Sequence, residues 1–182
     1  MNEEGRSTIA LADSYKKSKQ ENKNSIPDIS QKWLLEFDSK STNALIWDKR
    51  FTEVKEMIIP DRNVHLLGFE RTLKESLSMV MGGAPNPIKI DTTQNYMVAS
   101  ACRQNSCDEK GFIWYDLIAN KGIIAIVNHF PLKKYTNTPH LYITSKNYKN
   151  LQEIKQSAIK EIKEWLKNEN LEISQNNWTY EF

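Results

Sequence analysis

The chain holds only two cysteines, and they lie five positions apart in Tyr96-Met-Val-Ala-Ser-Ala-Cys102-Arg-Gln-Asn-Ser-Cys107, between two apolar runs. Cysteines this close act locally. They can close a small loop at a strand end, share a metal, or stand as free thiols. Ring closure is the arrangement that leaves a rigid, exposed tip. A ring this small contributes only about 2 kcal/mol in the chain-entropy model, so its value lies in shape more than in stability. A pre-shaped tip lowers the ordering cost of binding and suits insertion into a cleft.

The rest of the composition bounds what such a tip can be mounted on. At 182 residues and 39% hydrophobic content the chain is long enough for one well-packed domain and short for two. Five Trp, seven Tyr and six Phe supply the large side chains of a core. No apolar run approaches the length of a membrane span. Met1-Asn-Glu-Glu-Gly-Arg-Ser lacks the apolar segment of a signal peptide as written. The formal net charge of +2 is dispersed, with neither a basic stripe nor a stacking motif, which argues against nucleic acid as a partner.

Along the chain, positions 13–31 are polar, and Ile26-Pro27-Asp28 marks a break from which Asp28 can cap a short helix through Trp33, Leu34 and Phe37. Leu45, Phe51, Val54, Met57 and Ile58 fit one helical stripe that Pro60 ends. A second stripe of Phe69, Leu73, Leu77 and Val80 predicts a helix over 68–81, stopped at Gly82-Gly83. Ala84-Pro85-Asn86-Pro87 is expected to forbid regular pairing. Strands are predicted at 88–91, 96–101, 112–118, 123–130 and 141–144, with Asn120-Lys121-Gly122 as a hairpin whose Gly is left-handed. Trp114 and Tyr115 are expected on opposite faces of one strand, with one in the core and the other helix-covered or exposed. Ser145 or Asn147 is expected to cap a long amphipathic helix carrying Leu151, Ile154, Ala158, Ile162, Trp165 and Leu166, and Trp178–Phe182 reads as an edge strand. This is an α+β pattern: an antiparallel sheet of about five strands with helices on one face. Residues 1–66 form an N-terminal extension, polar and then helical, ahead of the domain at 67–182.

The pattern aromatic-x-Val-x-Ser-Ala-Cys-x4-Cys, followed by a strand pair about a Gly turn, resembles the Ivy family, bacterial inhibitors of vertebrate lysozyme. The resemblance is best over residues 89–130, extends to the C-terminus and is faint before Gly68. Family members carry Cys-Lys-Pro-His-Asp-Cys as a protruding loop that enters the lysozyme cleft, where its His bonds to the catalytic carboxylates. Here Cys102 and Cys107 match, and Arg103 keeps the basic character of the Lys. Asn105 stands in place of the His and Ser106 in place of the Asp.

The resemblance implies a Cys102–Cys107 disulfide, an Ivy-like sheet, a periplasmic location and a capacity to form homodimers. It implies no catalysis and no cofactor. The partner it implies is a lysozyme or another peptidoglycan-degrading enzyme such as a lytic transglycosylase, with neither nucleic acid nor membrane involved. Arg103, Gln104, Asn105 and Ser106 would then contact that partner. Arg103 offers a planar fork of donors that binds a carboxylate bidentately, and Asn105 offers two amide donors. Asn cannot become a cation, so it holds a carboxylate pair more weakly than a His would. The positive charge also points to a target less basic than vertebrate lysozyme.

Two other functions fit the residues. One is an immunity protein that neutralises a cell-wall-degrading or other toxin through a different surface. The other is a thiol redox or metal protein, for example with zinc between Cys102, Cys107, His129 and His140. That scatter lacks metal-site spacing, and a Cys-x-x-Cys in a βαβ setting is missing. Asp108 and Glu109 beside the ring are expected to be solvated turn residues.

Overall fold

Ile123-Ile-Ala-Ile-Val127 is fully buried at every position, which a strand achieves only when both faces of its sheet are covered. The structure, a computed structural model, describes residues 30–182. Asp28, expected to cap the first helix, lies outside them, as do residues 1–29 of the polar extension.

From a 3-10 turn at Lys32–Phe37 the chain forms helices α1 (Thr42–Ile46) and α2 (Phe51–Ile58). A two-residue ribbon, β1 (Asn63–Val64) with β2 (Arg71–Thr72), then leads into α3 (Leu73–Val80). The main sheet follows as β3 (Lys89–Asp91), β4 (Tyr96–Arg103), β5 (Ser106–Asp116), β6 (Lys121–Asn128) and β7 (His140–Thr144). Helix α4 (Gln156–Asn168) carries the chain back to β8 (Trp178–Glu181).

The protein is α+β, with two corrections to the expected sheet. It has six strands in the order β3-β4-β5-β6-β7-β8, and β8 joins β7 in parallel, so the sheet is mixed. Helices also cover both faces rather than one. Alternation along β4 to β6 sends Met97, Ala99, Ile113, Tyr115, Ile124 and Ile126 to one face, where α1, α2 and α3 supply Leu45, Phe51, Val54, Leu73 and Leu77. It sends Phe112, Trp114, Ile123, Ala125 and Val127 to the other, against Ala158, Ile162, Trp165 and Leu166 of α4. Trp114 and Tyr115 are therefore both fully buried, one in each layer. Residues 34–66 share the first core with the sheet, since Leu34, Phe51 and Ile58 pack in the same cluster as Ile113.

Local chemistry explains where the elements start and stop. The single stripe expected over 45–58 is broken between α1 and α2. There Ser41 accepts from the Asn43 N–H to start α1, and the Asp48 carboxylate takes the Arg50 N–H at 2.8 Å. Helix α3 begins at Leu73 because Thr72 and Glu75 form a capping box. Phe69 thus falls outside the helix and is exposed.

Ser145 and Asn147 do not cap the C-terminal helix. Ser145 Oγ donates to the Gly122 carbonyl, and Asn147 Oδ1 accepts from the Gly122 N–H, fastening the start of β6. Leu151–Glu153 is instead a separate 3-10 turn capped by Asn150. The left-handed residue of the β5–β6 turn is Asn120, at φ 53°. Gly122 lies within β6 for a different reason, since a Cβ there would stand 2.9 Å from the Trp114 carbonyl oxygen and from Ile58. Among the described residues no helix is long and apolar enough to cross a membrane.

Candidate functional site: the disulfide-closed hairpin

The sequence motif sits where β4 and β5 run past the rest of the sheet. Their pairing is regular from Tyr96↔Asp116 to Cys102↔Lys110, and then jumps to Arg103↔Ser106. Residues 107–109 are therefore surplus on β5 and loop out as a bulge, which re-aims the end of the strand. Gln104 and Asn105 form a two-residue turn between Arg103 and Ser106. Asn105 adopts φ 63°, a left-handed conformation that Asn tolerates better than most residues. A disulfide joins Cys102 to Cys107 across the base of the turn, with Cα atoms 4.8 Å apart.

The base of the hairpin is bolted to the chain that follows α3. The Gly83 N–H donates to the Cys102 carbonyl at 2.7 Å, the Cys102 N–H to Ala84 at 3.1 Å, and the Asn86 N–H to Ser100 at 2.9 Å. Pro85 and Pro87 do not prevent this pairing, because Ala84 and Asn86 supply the groups that face β4. Gly83 is required by the contact, since a Cβ there would stand 2.5 Å from the Cys102 oxygen.

Charge is distributed in an unexpected way. Arg103 is not free at the tip: its guanidinium pairs with the Glu109 carboxylate, and Glu109 is buried. The bulge turns Glu109 inwards, away from the solvated-turn role expected of it. Behind it, Lys110 pairs with Glu169 at 2.8 Å, and Asn86 Nδ2 donates to Glu169 at 2.8 Å and to Ser100 Oγ at 2.9 Å. Burial raises the Glu169 pKa, but the bonds from Lys110 and Asn86 and the Lys110 charge outweigh it and hold the carboxyl below its ordinary value. The hairpin stem is thus tied to the C-terminal end of α4.

Of the residues expected to meet a partner, Gln104 and Asn105 are exposed, Arg103 and Ser106 are half-buried, and Cys107 is exposed while Cys102 is buried. Beside the tip lies a shallow groove of about 350 Å³ lined by Trp47, Ser78, Met79, Gly82, Arg103, Gln104 and Asn105. Trp47 is 75% exposed. Sequence reasoning misses it, because Trp47 is spaced to share one helical face with Phe51, Val54 and Ile58; the break between α1 and α2 takes it off that face. Cys102 and Cys107 are bonded to each other and are not thiolate ligands. Among the described residues no group of three His, Cys, Asp or Glu is placed to hold a metal ion. His129 stacks on Tyr135 and His65 lies edge-on to Phe130.

Comparison with family models, with curated proteins and with solved structures finds no match to this chain.

Proposed function

We propose that this protein inhibits a peptidoglycan-cleaving glycosidase, a lysozyme or lytic transglycosylase, by inserting the Cys102–Cys107 hairpin into the active-site cleft. One observation carries this: a two-residue tip with both side chains exposed, closed by a disulfide at its root and pinned to the Gly83 backbone behind it. Such a tip loses little conformational entropy on docking. Glycosidase clefts present a carboxyl pair, rich in acceptors. The amide donors of Gln104 and Asn105 address that pair. Arg103 contributes indirectly, because its guanidinium is engaged by Glu109 and holds the turn. Inhibition is steric, and the protein itself performs no catalysis. A disulfide of this kind persists in an oxidising compartment, which accords with the periplasm.

A second function is favoured by the same ion pair. Neutralising Arg103 leaves the tip without its cation, which suits an immunity protein that meets a toxin elsewhere on its surface.

Turbidity assays of peptidoglycan lysis decide between them, using vertebrate-type, goose-type and phage-type lysozymes and a lytic transglycosylase. The Gln104→Ala/Asn105→Gly variant removes both amides while keeping the left-handed turn available. Inhibition lost in this variant supports the plug. Inhibition that survives it moves the site off the hairpin, and no inhibition of any enzyme overturns glycosidase inhibition.

A further inference from the structure

The two edges of the main sheet are treated differently. The β3 edge is covered: the Ser39 N–H donates to Ile88, the Ile88 N–H to Lys40, and the Ile90 N–H to the Asp38 carboxylate. At the other edge, β8 ends the strand order, and no described strand pairs with its outer side. Exposed edges invite strand addition and are ordinarily blunted by charge, bulges or cover. β8 is instead flanked by a cleft of about 830 Å³ that runs between α4 and the segment 170–175 down to Trp178. A smaller cavity continues it past Ile159 to Tyr180.

The cleft is chemically two-sided. Its floor is half-buried and apolar, including Ile173, Trp178 and Tyr180. Its α4 rim carries Lys163 and Lys167, one helical turn apart and exposed, with no ion-pair partner among the described residues. Lys163 lines both the larger cleft and its continuation. The nearby carboxylates are Glu172, on the segment 170–175, Glu164, which faces Lys160 at 3.7 Å, and Glu181 of β8, which pairs with Arg62 at 3.4 Å.

We propose that the cleft between α4 and β8 is a binding site for an extended, acidic segment of a partner polypeptide. The segment adds as a strand to the outer edge of β8, sets alternate apolar side chains over Trp178 and Tyr180, and places carboxylates against Lys163 and Lys167. Edge pairing supplies backbone hydrogen bonds, and the floor and rim select the side chains. An extended acidic polypeptide matches both the outer edge of β8, with which no described strand pairs, and the lysine rim. The site is separate from the hairpin and does not depend on its function.

The test is fluorescence anisotropy of the full chain with a fluorescein-labelled nonapeptide alternating glutamate with valine. Two controls are its lysine-valine counterpart and a version N-methylated on alternate residues, which cannot pair with an edge. Saturable binding of the acidic peptide alone, weakened about tenfold or more by Lys163→Glu/Lys167→Glu, is expected. Both lysines are exposed, so the variant is expected to stay folded, with its thermal melt lowered only slightly by the glutamate in the last turn of α4. Protection of β8 amides from hydrogen exchange on peptide binding would place the added strand. No binding, equal binding of the lysine peptide, or equal binding of the N-methylated peptide would overturn the proposal.

Discussion

The guanidinium of Arg103 pairs with the buried carboxylate of Glu109 across the mouth of the disulfide ring. This couples the shape of the tip to an ion pair that solvent barely reaches on the acid side. Removing one partner of such a pair costs more than the pair is worth, because the other charge stays buried. Arg103→Ala is expected to destabilise the fold by about 2–4 kcal/mol, and Glu109→Gln by less, since the amide keeps a hydrogen-bonding oxygen. Urea denaturation of both variants checks the order. A near-neutral Arg103→Ala would mean that the arginine is a surface contact residue after all.

Asn105 holds φ 63° at the turn. Asn105→Gly is expected to leave stability within about 0.5 kcal/mol of the parent, whereas Asn105→Val should cost about 1–2 kcal/mol, because a β-branched residue is strained in the left-handed region. Thermal melts of the two variants measure the difference.

Gly83 and Gly82 are adjacent but not equivalent. A Cβ at Gly83 meets the Cys102 oxygen at 2.5 Å, while one at Gly82 meets the nearest backbone oxygen, that of Ser78, at 3.3 Å. Gly83→Ala is expected to cost about 2–3 kcal/mol by overpacking backbone against backbone, with Gly82→Ala costing less than about 1 kcal/mol. Equal midpoints in urea would contradict the bolted hairpin base.

The folded-state pKa of Glu169 lies below its ordinary value of 4.5. A depressed carboxyl contributes stability that is present above the unfolded-state value and lost as pH falls through the folded-state one. Stability is therefore expected to decline on acidification below about pH 4.5, and Lys110→Met, which removes the cation, should flatten the part of that decline due to Glu169. Urea midpoints for parent and variant at pH 6 and pH 3 test it. Parallel losses in the two proteins would remove Glu169 from the account.

The disulfide closes a very short loop. Cys102→Ser/Cys107→Ser is expected to cost about 2 kcal/mol, and to weaken any inhibition by more than this loss of stability accounts for. Inhibition assays well below the melting temperature separate shape from stability.

Much of this protein is legible along the chain. The runs around Val98, Ile113 and Ile124 are strands because they are short, apolar, rich in β-branched and aromatic residues and bounded by turn residues. α4 is helical because Ala158, Ile162 and Trp165 recur on one face. The nearness of Cys102 to Cys107 is itself a sequence fact. These are one-dimensional signals, set by neighbours within a turn or two.

Tertiary structure alone decided the rest. The inward turn of Glu109 depends on where the β4–β5 register slips. The need for glycine at 83 and 122 arises from the backbone of Cys102 and from Ile58 and Trp114, remote or cross-strand neighbours. Coverage of both sheet faces, the exposure of Trp47 and the place of β8 at the end of the described strand order follow from how the elements pack over a finished sheet. Periodicity tells a residue which way it faces on its own element. What it faces is settled only when elements far apart in the chain pack together, because burial and pairing energies belong to the contact and not to either residue alone.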